Sequence, residues 1–387
     1  MPPHSELAAI VNLLPASVRR LLTSLQRASD VGVRPESTTQ VTAGAVGASR
    51  EWPALSPPVR SPHWAARLAV VLLIGMASAW LTYRWFRTAE RPPDFWLPHT
   101  AARALTEGWN PYRLPVNSPR WPLRLPNFFP LPAVVVVWPL ASLPLPAAGA
   151  VFVGASAGAL AWRVTRDGLA RALMFASGSF LMAARFGQWA PVLTLVALVP
   201  AAGWLAACKP TIGFAMLAAK PTWRGVLLAI GFGVACLVVL PTWPIDWLRV
   251  LRGGDAYGLH FVPLATIWGW PLLLALLRWR RPEARLLLAL ACVPQMPLFY
   301  DQVALGLVGR TRLEIGGFVL VNFIAWVLWL NALADWTPAS QRAALPYFIV
   351  GTYLPALLLV LLKPNEGAAP PWLDWLRRHR PDTSRND

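Results

Sequence analysis

The residue with the most chemical promise in this sequence is Asp94. It follows an apolar run, Leu68 to Tyr83, and opens a polar, proline- and arginine-rich stretch extending from Arg91 to Pro139. Charge close to a bilayer is costly unless solvated or paired, so an ionisable group in such a place is a functional candidate by default. One carboxylate is enough to serve as a general base on a hydroxyl, because an alcohol oxygen is a poor nucleophile until its proton is being removed. Asp94 also stands where it would N-cap a helix beginning near Trp96, and the two roles are compatible. Six arginines accompany it: Arg87, Arg91, Arg103, Arg113, Arg120 and Arg124. They suit either a lipid-linked phosphate or the headgroups of the surrounding bilayer. Both readings put phosphate beside Asp94.

Elements that would position these groups follow from composition. Of 387 residues 56% are hydrophobic and 14% charged, with mean hydropathy +0.46; a soluble domain is nearer a quarter charged. The chain therefore reads as an all-α polytopic membrane protein. Its net charge of +17 comes almost wholly from arginine, the only lysines being Lys209, Lys220 and Lys363. Most of these charges fall in short loops, as the orientation rule for membrane proteins requires. Nucleic acid is excluded as a partner, since no compact basic domain exists to hold it. Cys208, Cys236 and Cys292 lie in apolar runs without CxxC spacing and read as small core residues.

Along the chain, residues 1–62 read as a cytoplasmic tail and linker. Ser5 to Ala28 has apolar residues at helical spacing, interrupted by Pro15, and suits a membrane surface or a partly ordered extension. It lacks the features of a signal peptide, and Val31 to Pro62 has linker composition. Residues 63–365 form the membrane domain, with a first extracytoplasmic loop at 88–127, and residues 366–387 a second cytoplasmic tail. Apolar runs follow the first at Phe128–Leu145, Ala147–Trp162, Leu173–Ala184, Trp189–Cys208, Val226–Leu240, Phe261–Leu277, Leu286–Phe299, Ile315–Leu333 and Leu345–Leu362. About ten spans are expected, several short enough to be broken, tilted or re-entrant. Parity requires Phe128–Trp162 to cross once and leaves Val303–Val308 too short for a full helix.

The arginine clusters at 163–171, 278–285 and 377–380, with Lys209, Lys220 and Arg224, mark the cytoplasmic side. Asp94, the Gly187-Gln188-Trp189 turn, the Trp243–His260 loop, the Tyr300-Asp301-Gln302 break and Asp335 then gather on the opposite face. On that assignment Lys209 is an orientation charge; the other reading of it is a phosphate contact. Gln188 suits hydrogen bonding to a ligand or to a helix end; Glu107 faces solvent. No metal or cofactor is expected, because the five histidines are scattered without companions at ligand spacing.

An ordered set of motifs resembles glycosyltransferase family 87: Asp94-Phe95, Ala101-Ala102, Leu105, Gly108, Asn110-Pro111-Tyr112, Phe128-Phe129-Pro130-Leu131-Pro132 and Pro139-Leu140. Gly187-Gln188, an apolar run and Cys208-Lys209-Pro210 are similar to the family's next elements. Phe129 and Leu131 depart from its tyrosine and second paired proline, and no histidine accompanies Leu298–Asp301. The resemblance covers about a third of the chain, Asp94 to Pro221. It implies a GT-C-type glycosyltransferase with a functional first extracytoplasmic loop, acting on polyprenol-phosphate-mannose in a bacterial plasma membrane. A polyprenyl-phosphate sugar donor, a lipid or glycan acceptor and membrane lipid are the expected partners. The expected catalytic residue is Asp94; the expected substrate-binding residues are Arg103, Asn110, Tyr112, Arg113, Arg124, Gln188, His260, Tyr300 and Asp301. One base suffices where a phosphate leaves; a glycosidase would need two carboxyls about 5 to 9.5 Å apart, and no motif supports Asp301 or Asp335 as the second. The other class left open is a transporter or flippase for a lipid-linked or small anionic substrate. Against it stand the lack of an internal repeat and the placing of polar candidates at one face.

Overall fold

The computed structural model describes residues 64–89, 93–253, 261–333 and 337–366. The chain divides into two units, Met1–Ser49 and Arg50–Asp387, and every described residue belongs to the second. The expected amino-terminal surface helix, the linker, Arg91, His260, Asp335 and the tail beyond Glu366 lie outside the described residues.

The described residues are helical, without strands. In order they form α1 (Trp64–Thr88), α2 (Trp96–Thr106), α3 (Leu131–Val137), α4 (Leu145–Val164), α5 (Gly178–Phe186), α6 (Ala190–Leu198), α7 (Pro210–Ala219), α8 (Trp223–Ala235), α9 (Trp243–Gly253), α10 (Pro282–Cys292), α11 (Arg312–Ala332), α12 (Pro338–Ala343) and α13 (Leu345–Leu361). Among these, α1, α4 and α11 are long and apolar enough to cross a membrane. The number rises to five if two bent pairs each count as one span: Leu169–Ala176 with α5, bent by 63°, and Trp223–Val238 with α9, bent by 104°. The described residues are thus all-α, consistent with a membrane protein. The long helices are fewer than the apolar runs suggested, because most runs are broken into pieces.

Proline makes several of the breaks. A residue before proline is pushed out of the α region by the pyrrolidine ring. Val199 before Pro200 is extended (φ −136°, ψ 109°), so α6 stops at Leu198 and a 3₁₀ segment, Pro200–Cys208, begins. Lys209 before Pro210 (φ −145°, ψ 82°) and Lys220 before Pro221 (φ −138°, ψ 77°) then bound α7. The expected span Trp189–Cys208 is thus two short helices, not one long one. Between 128 and 162, likewise, α3 is short and only α4 is long. Residues 300–307 form a wholly buried 3₁₀ segment.

The two longest amino-terminal helices meet through small residues. With no water to expel between helices in lipid, close backbone approach supplies the attraction. Gly75 and Ala79 of α1 face Gly154 on α4: a Cβ added to Gly154 would stand 2.8 Å from the Ala79 Cβ and 3.0 Å from the Gly75 carbonyl oxygen. The α11 start carries a reciprocal cap. The Thr311 hydroxyl accepts from the Glu314 N–H at 3.1 Å, and Glu314 Oε2 accepts from the Arg310 N–H at 2.7 Å.

The expectation that all three cysteines are core residues changes here. Cys208 and Cys236 are buried but Cys292, at the last turn of α10, is exposed. Arg171 and Arg281, two of the arginines in the clusters expected to mark the cytoplasmic side, are buried; Arg171 Nη1 donates to the Leu307 carbonyl at 3.2 Å, and Arg281 pairs with buried Glu283 at 3.1 Å.

Candidate active site

The site begins where α5 ends. Gly187 closes that helix in the left-handed conformation (φ +66°), and the Gln188 N–H turns back to the Ala183 carbonyl at 2.8 Å. Only glycine fits: a Cβ there would lie 2.6 Å from the Phe95 Cβ and 2.9 Å from the Phe86 ring. That close approach brings the Phe95 N–H to the Phe186 carbonyl at 3.1 Å, so the chain just before α2 is tied to the end of α5. Gln188 and Asp94 are thereby neighbours, 94 positions apart in sequence.

Asp94 does not cap α2. The cap position is Phe95, without a side-chain cap bond, and the Asp94 carboxylate turns instead into a cluster. Its Oδ2 accepts from Gln188 Nε2 in a short hydrogen bond and from the Tyr300 hydroxyl at 2.9 Å. Oδ1 has no donor among the described residues, and Asp94 keeps partial exposure. Loss of water around the carboxyl pushes its pKa up to about 6. The Tyr300 bond, the Lys209 charge and the Gln188 bond oppose that rise, while Asp301 adds to it. A carboxylate that changes charge near neutrality, with one oxygen held and the other free, is equipped to take a proton from a hydroxyl.

Lys209, expected on the face opposite Gln188, lies beside it instead. Its ammonium donates to Gln188 Oε1 at 3.2 Å and to Asp301 Oδ1 at 2.6 Å, and lies 5.1 Å from the centre of the Tyr300 ring. The chain reverses at the Val199-Pro200 break, so Lys209 returns to Gln188 instead of reaching the opposite face. The signal for this was present in the sequence: a proline in the middle of a supposed span, and a second one directly after the lysine. Asp301 is 1% exposed in its side chain, and its Oδ2 is buried with no donor among the described residues. Phe299, just before Tyr300, is held at φ +64°, a strained conformation for a bulky residue, packed edge-on against Trp329 and Phe348.

Of the expected substrate-binding residues, Gln188, Tyr300 and Asp301 join Asp94. Asn110 and Arg113 do not; they belong to a second cluster around buried Asp246 of α9. Asp246 accepts from Asn110 Nδ2 at 2.9 Å, Arg113 Nε at 3.1 Å, the Thr242 hydroxyl at 2.6 Å and Arg249 Nη1 at 2.9 Å. The Asn110 side-chain oxygen also accepts from the Tyr112 N–H at 3.0 Å, and the buried Tyr112 hydroxyl donates to the Phe129 carbonyl at 2.9 Å. The Asn-Pro-Tyr turn is therefore a clasp holding the first loop to α9. Asp246 carries no sequence motif, and only its place in the fold shows this role.

The described arginines of the first loop are exposed. Arg103 lines a cleft of about 700 Å³ with Thr106, Glu107, Trp138 and Ser142. Arg120 stacks on Trp109, 3.9 Å from the ring centre, and Arg124 is exposed. Glu107 is exposed at the end of α2, as expected. No group of three metal-ligating side chains occurs among the described residues. Comparison with known proteins gives no relative: no protein-family model matches the chain, nor does any curated protein or any solved structure.

Proposed function

We propose that the chain is a membrane glycosyltransferase of the GT-C type. In this reading it moves a hexose, mannose by the motif resemblance, from a polyprenyl-phosphate donor to a hydroxyl of a lipid or glycan acceptor, on the extracytoplasmic face of a bacterial plasma membrane. The observation that carries the reading is the state of Asp94: Oδ2 is held by Gln188 and Tyr300, Oδ1 is open, and the pKa lies near 6.

Geometry of this kind suits single displacement with inversion. The acceptor hydroxyl gives its proton to Asp94 Oδ1 as its oxygen bonds to the anomeric carbon. The bond from that carbon to the phosphate oxygen breaks, and the polyprenyl phosphate leaves with the electron pair. Lys209, joined to Asp94 through Gln188, supplies positive charge for the phosphate as it departs. Asp94 then returns the proton to water.

The test is transfer of radiolabelled mannose from polyprenol-phosphate-mannose to endogenous lipid acceptors, in membranes carrying wild type or Asp94→Asn at matched expression. Labelling with wild type and none with Asp94→Asn supports the reaction and the base together. Equal labelling above an empty-vector control keeps the reaction and removes Asp94. The second reading, transport of a lipid-linked anion, draws on the mostly buried Lys209–Asp301 pair beside a helix pair that turns back on itself. Its signature is lipid translocation in proteoliposomes without labelling from any polyprenyl-phosphate sugar.

A further inference from the structure

We infer that Lys209 and Asp301 act as one opposed-charge pair that orients and tunes Asp94, with Lys209 working through Gln188 as a positioning residue; the inference rests on the reading of Asp94 as the base. The first part of the argument is about orientation. A carboxamide can present either its oxygen or its NH₂, whereas a carboxylate only accepts and an ammonium only donates. Because Lys209 donates to Oε1 of Gln188, Nε2 is the end left for Asp94. The Asp94 carboxylate demands the same orientation from the other end; without Lys209 that carboxylate alone selects it, and Oε1 is left without its donor.

The second part is about charge. Asp301 is almost fully buried, and Lys209 is its ion-pair partner. Among the described residues the groups acting on the Asp94 carboxyl are Lys209, at the break before α7; Tyr300 and Asp301, at the start of the 300–307 segment; and the neutral Gln188 after α5. Lys209 favours the charged form of Asp94, and Asp301 disfavours it. Salt-bridged at 2.6 Å, the two act on Asp94 in opposite directions, Lys209 the more strongly, and replacing either by a neutral residue leaves the other unopposed.

The experiment reads the protonation of Asp94 directly, in the purified full-length protein and without substrate. The infrared band of its protonated carboxyl, assigned by its loss in Asp94→Asn, is titrated in wild type, Lys209→Met, Lys209→Arg and Asp301→Asn. The midpoint is expected to rise by roughly one pH unit in Lys209→Met and to fall by a similar amount in Asp301→Asn. Lys209→Arg, which keeps the charge, is expected to stay near wild type. Midpoints that do not move, or that move the same way in both variants while thermal unfolding stays like wild type, overturn the inference. Should Lys209→Met fail to fold, Asp301→Asn decides alone: a midpoint that does not fall overturns it. Failure of the proposed reaction is seen separately, as absent mannose transfer by wild type with these opposite shifts still present.

Discussion

Lys209 donates to the side-chain oxygen of Gln188 at 3.2 Å although 21 positions separate them. A straight helix of that length would hold its ends about 30 Å apart. The segment between them therefore leaves and returns, and the two residues share one level of the molecule. Orientation by charge alone had placed them on opposite faces.

That return predicts a labelling pattern. In a Cys292→Ser background, single cysteines at the exposed Arg185 and the half-buried Thr211, which flank the segment, are expected to react with a membrane-impermeant thiol reagent from the same side of sealed vesicles. Reaction of the two from opposite sides would restore the single-span assignment of 189–208.

Activity should follow the charge of Asp94. With a pKa of about 6 the carboxyl is protonated below that pH and cannot accept the hydroxyl proton. Transfer is then expected to be lost as pH falls through about 6 and to reach a plateau above it. Tyr300→Phe removes a hydrogen bond that favours the charged form, so the midpoint should move upward. A flat profile from pH 5 to 8, or a downward move in Tyr300→Phe, would count against Asp94 as the titrating base.

Gly187→Ala tests the turn that brings the cluster together. The left-handed backbone alone costs a non-glycine residue roughly 1–2 kcal/mol, and the added Cβ would also stand 2.6 Å from the Phe95 Cβ. Relief of that contact moves Gln188 away from Asp94. We expect a lower unfolding temperature in detergent together with transfer reduced at least tenfold; wild-type transfer in Gly187→Ala would show that the Asp94–Gln188 contact is dispensable.

The sequence made parts of this site readable and hid others for physical reasons. Asp94, Gln188, Tyr300 and Asp301 were visible because polar groups interrupt apolar runs, where burial has to be repaid by a partner. Asn110 and Tyr112 were equally visible as a motif, but a motif does not say whether its side chains face a ligand or clasp their own loop, and here they clasp it. Lys209 was set apart from Gln188 because counting charges at the ends of runs presumes that each run crosses. The extended backbone imposed on Val199 by Pro200 removes that premise. All-α architecture needed only composition; the number of long helices depended on proline breaks that hydropathy does not register.

Asp246 should hold the first loop in place. Replacing it with Ala leaves Asn110 and Arg113 without their shared acceptor. Hydrogen bonds to a charged group contribute about 1.5–3 kcal/mol each, and exposure of Arg113 and Arg249 limits the loss because water takes up their donors. We expect a destabilisation of roughly 2 kcal/mol and faster tryptic cleavage at the exposed Arg120 and Arg124. Unchanged cleavage kinetics would mean that the loop is held by its other contacts, such as the bond from the Trp247 indole to the Phe128 carbonyl at 2.9 Å.

Two glycines one helical turn apart on α4 should respond in opposite ways to the same substitution. At Gly154 an added methyl meets the Ala79 Cβ at 2.8 Å and the Gly75 carbonyl at 3.0 Å, both on a packed backbone that cannot swing aside. The helices must part, giving up the close approach that holds them in lipid; overpacking of this kind costs about 1–3 kcal/mol. At Gly158 the same methyl meets nothing within 4 Å, and alanine is the better helix former by roughly 1 kcal/mol. Gly154→Ala is therefore expected to lower the unfolding temperature in detergent and Gly158→Ala to leave it unchanged or raise it. Equal effects from the two would mean that α1 and α4 do not meet through Gly154, and the support they give to Phe86 and Phe95 beside Gly187 would have to come from elsewhere.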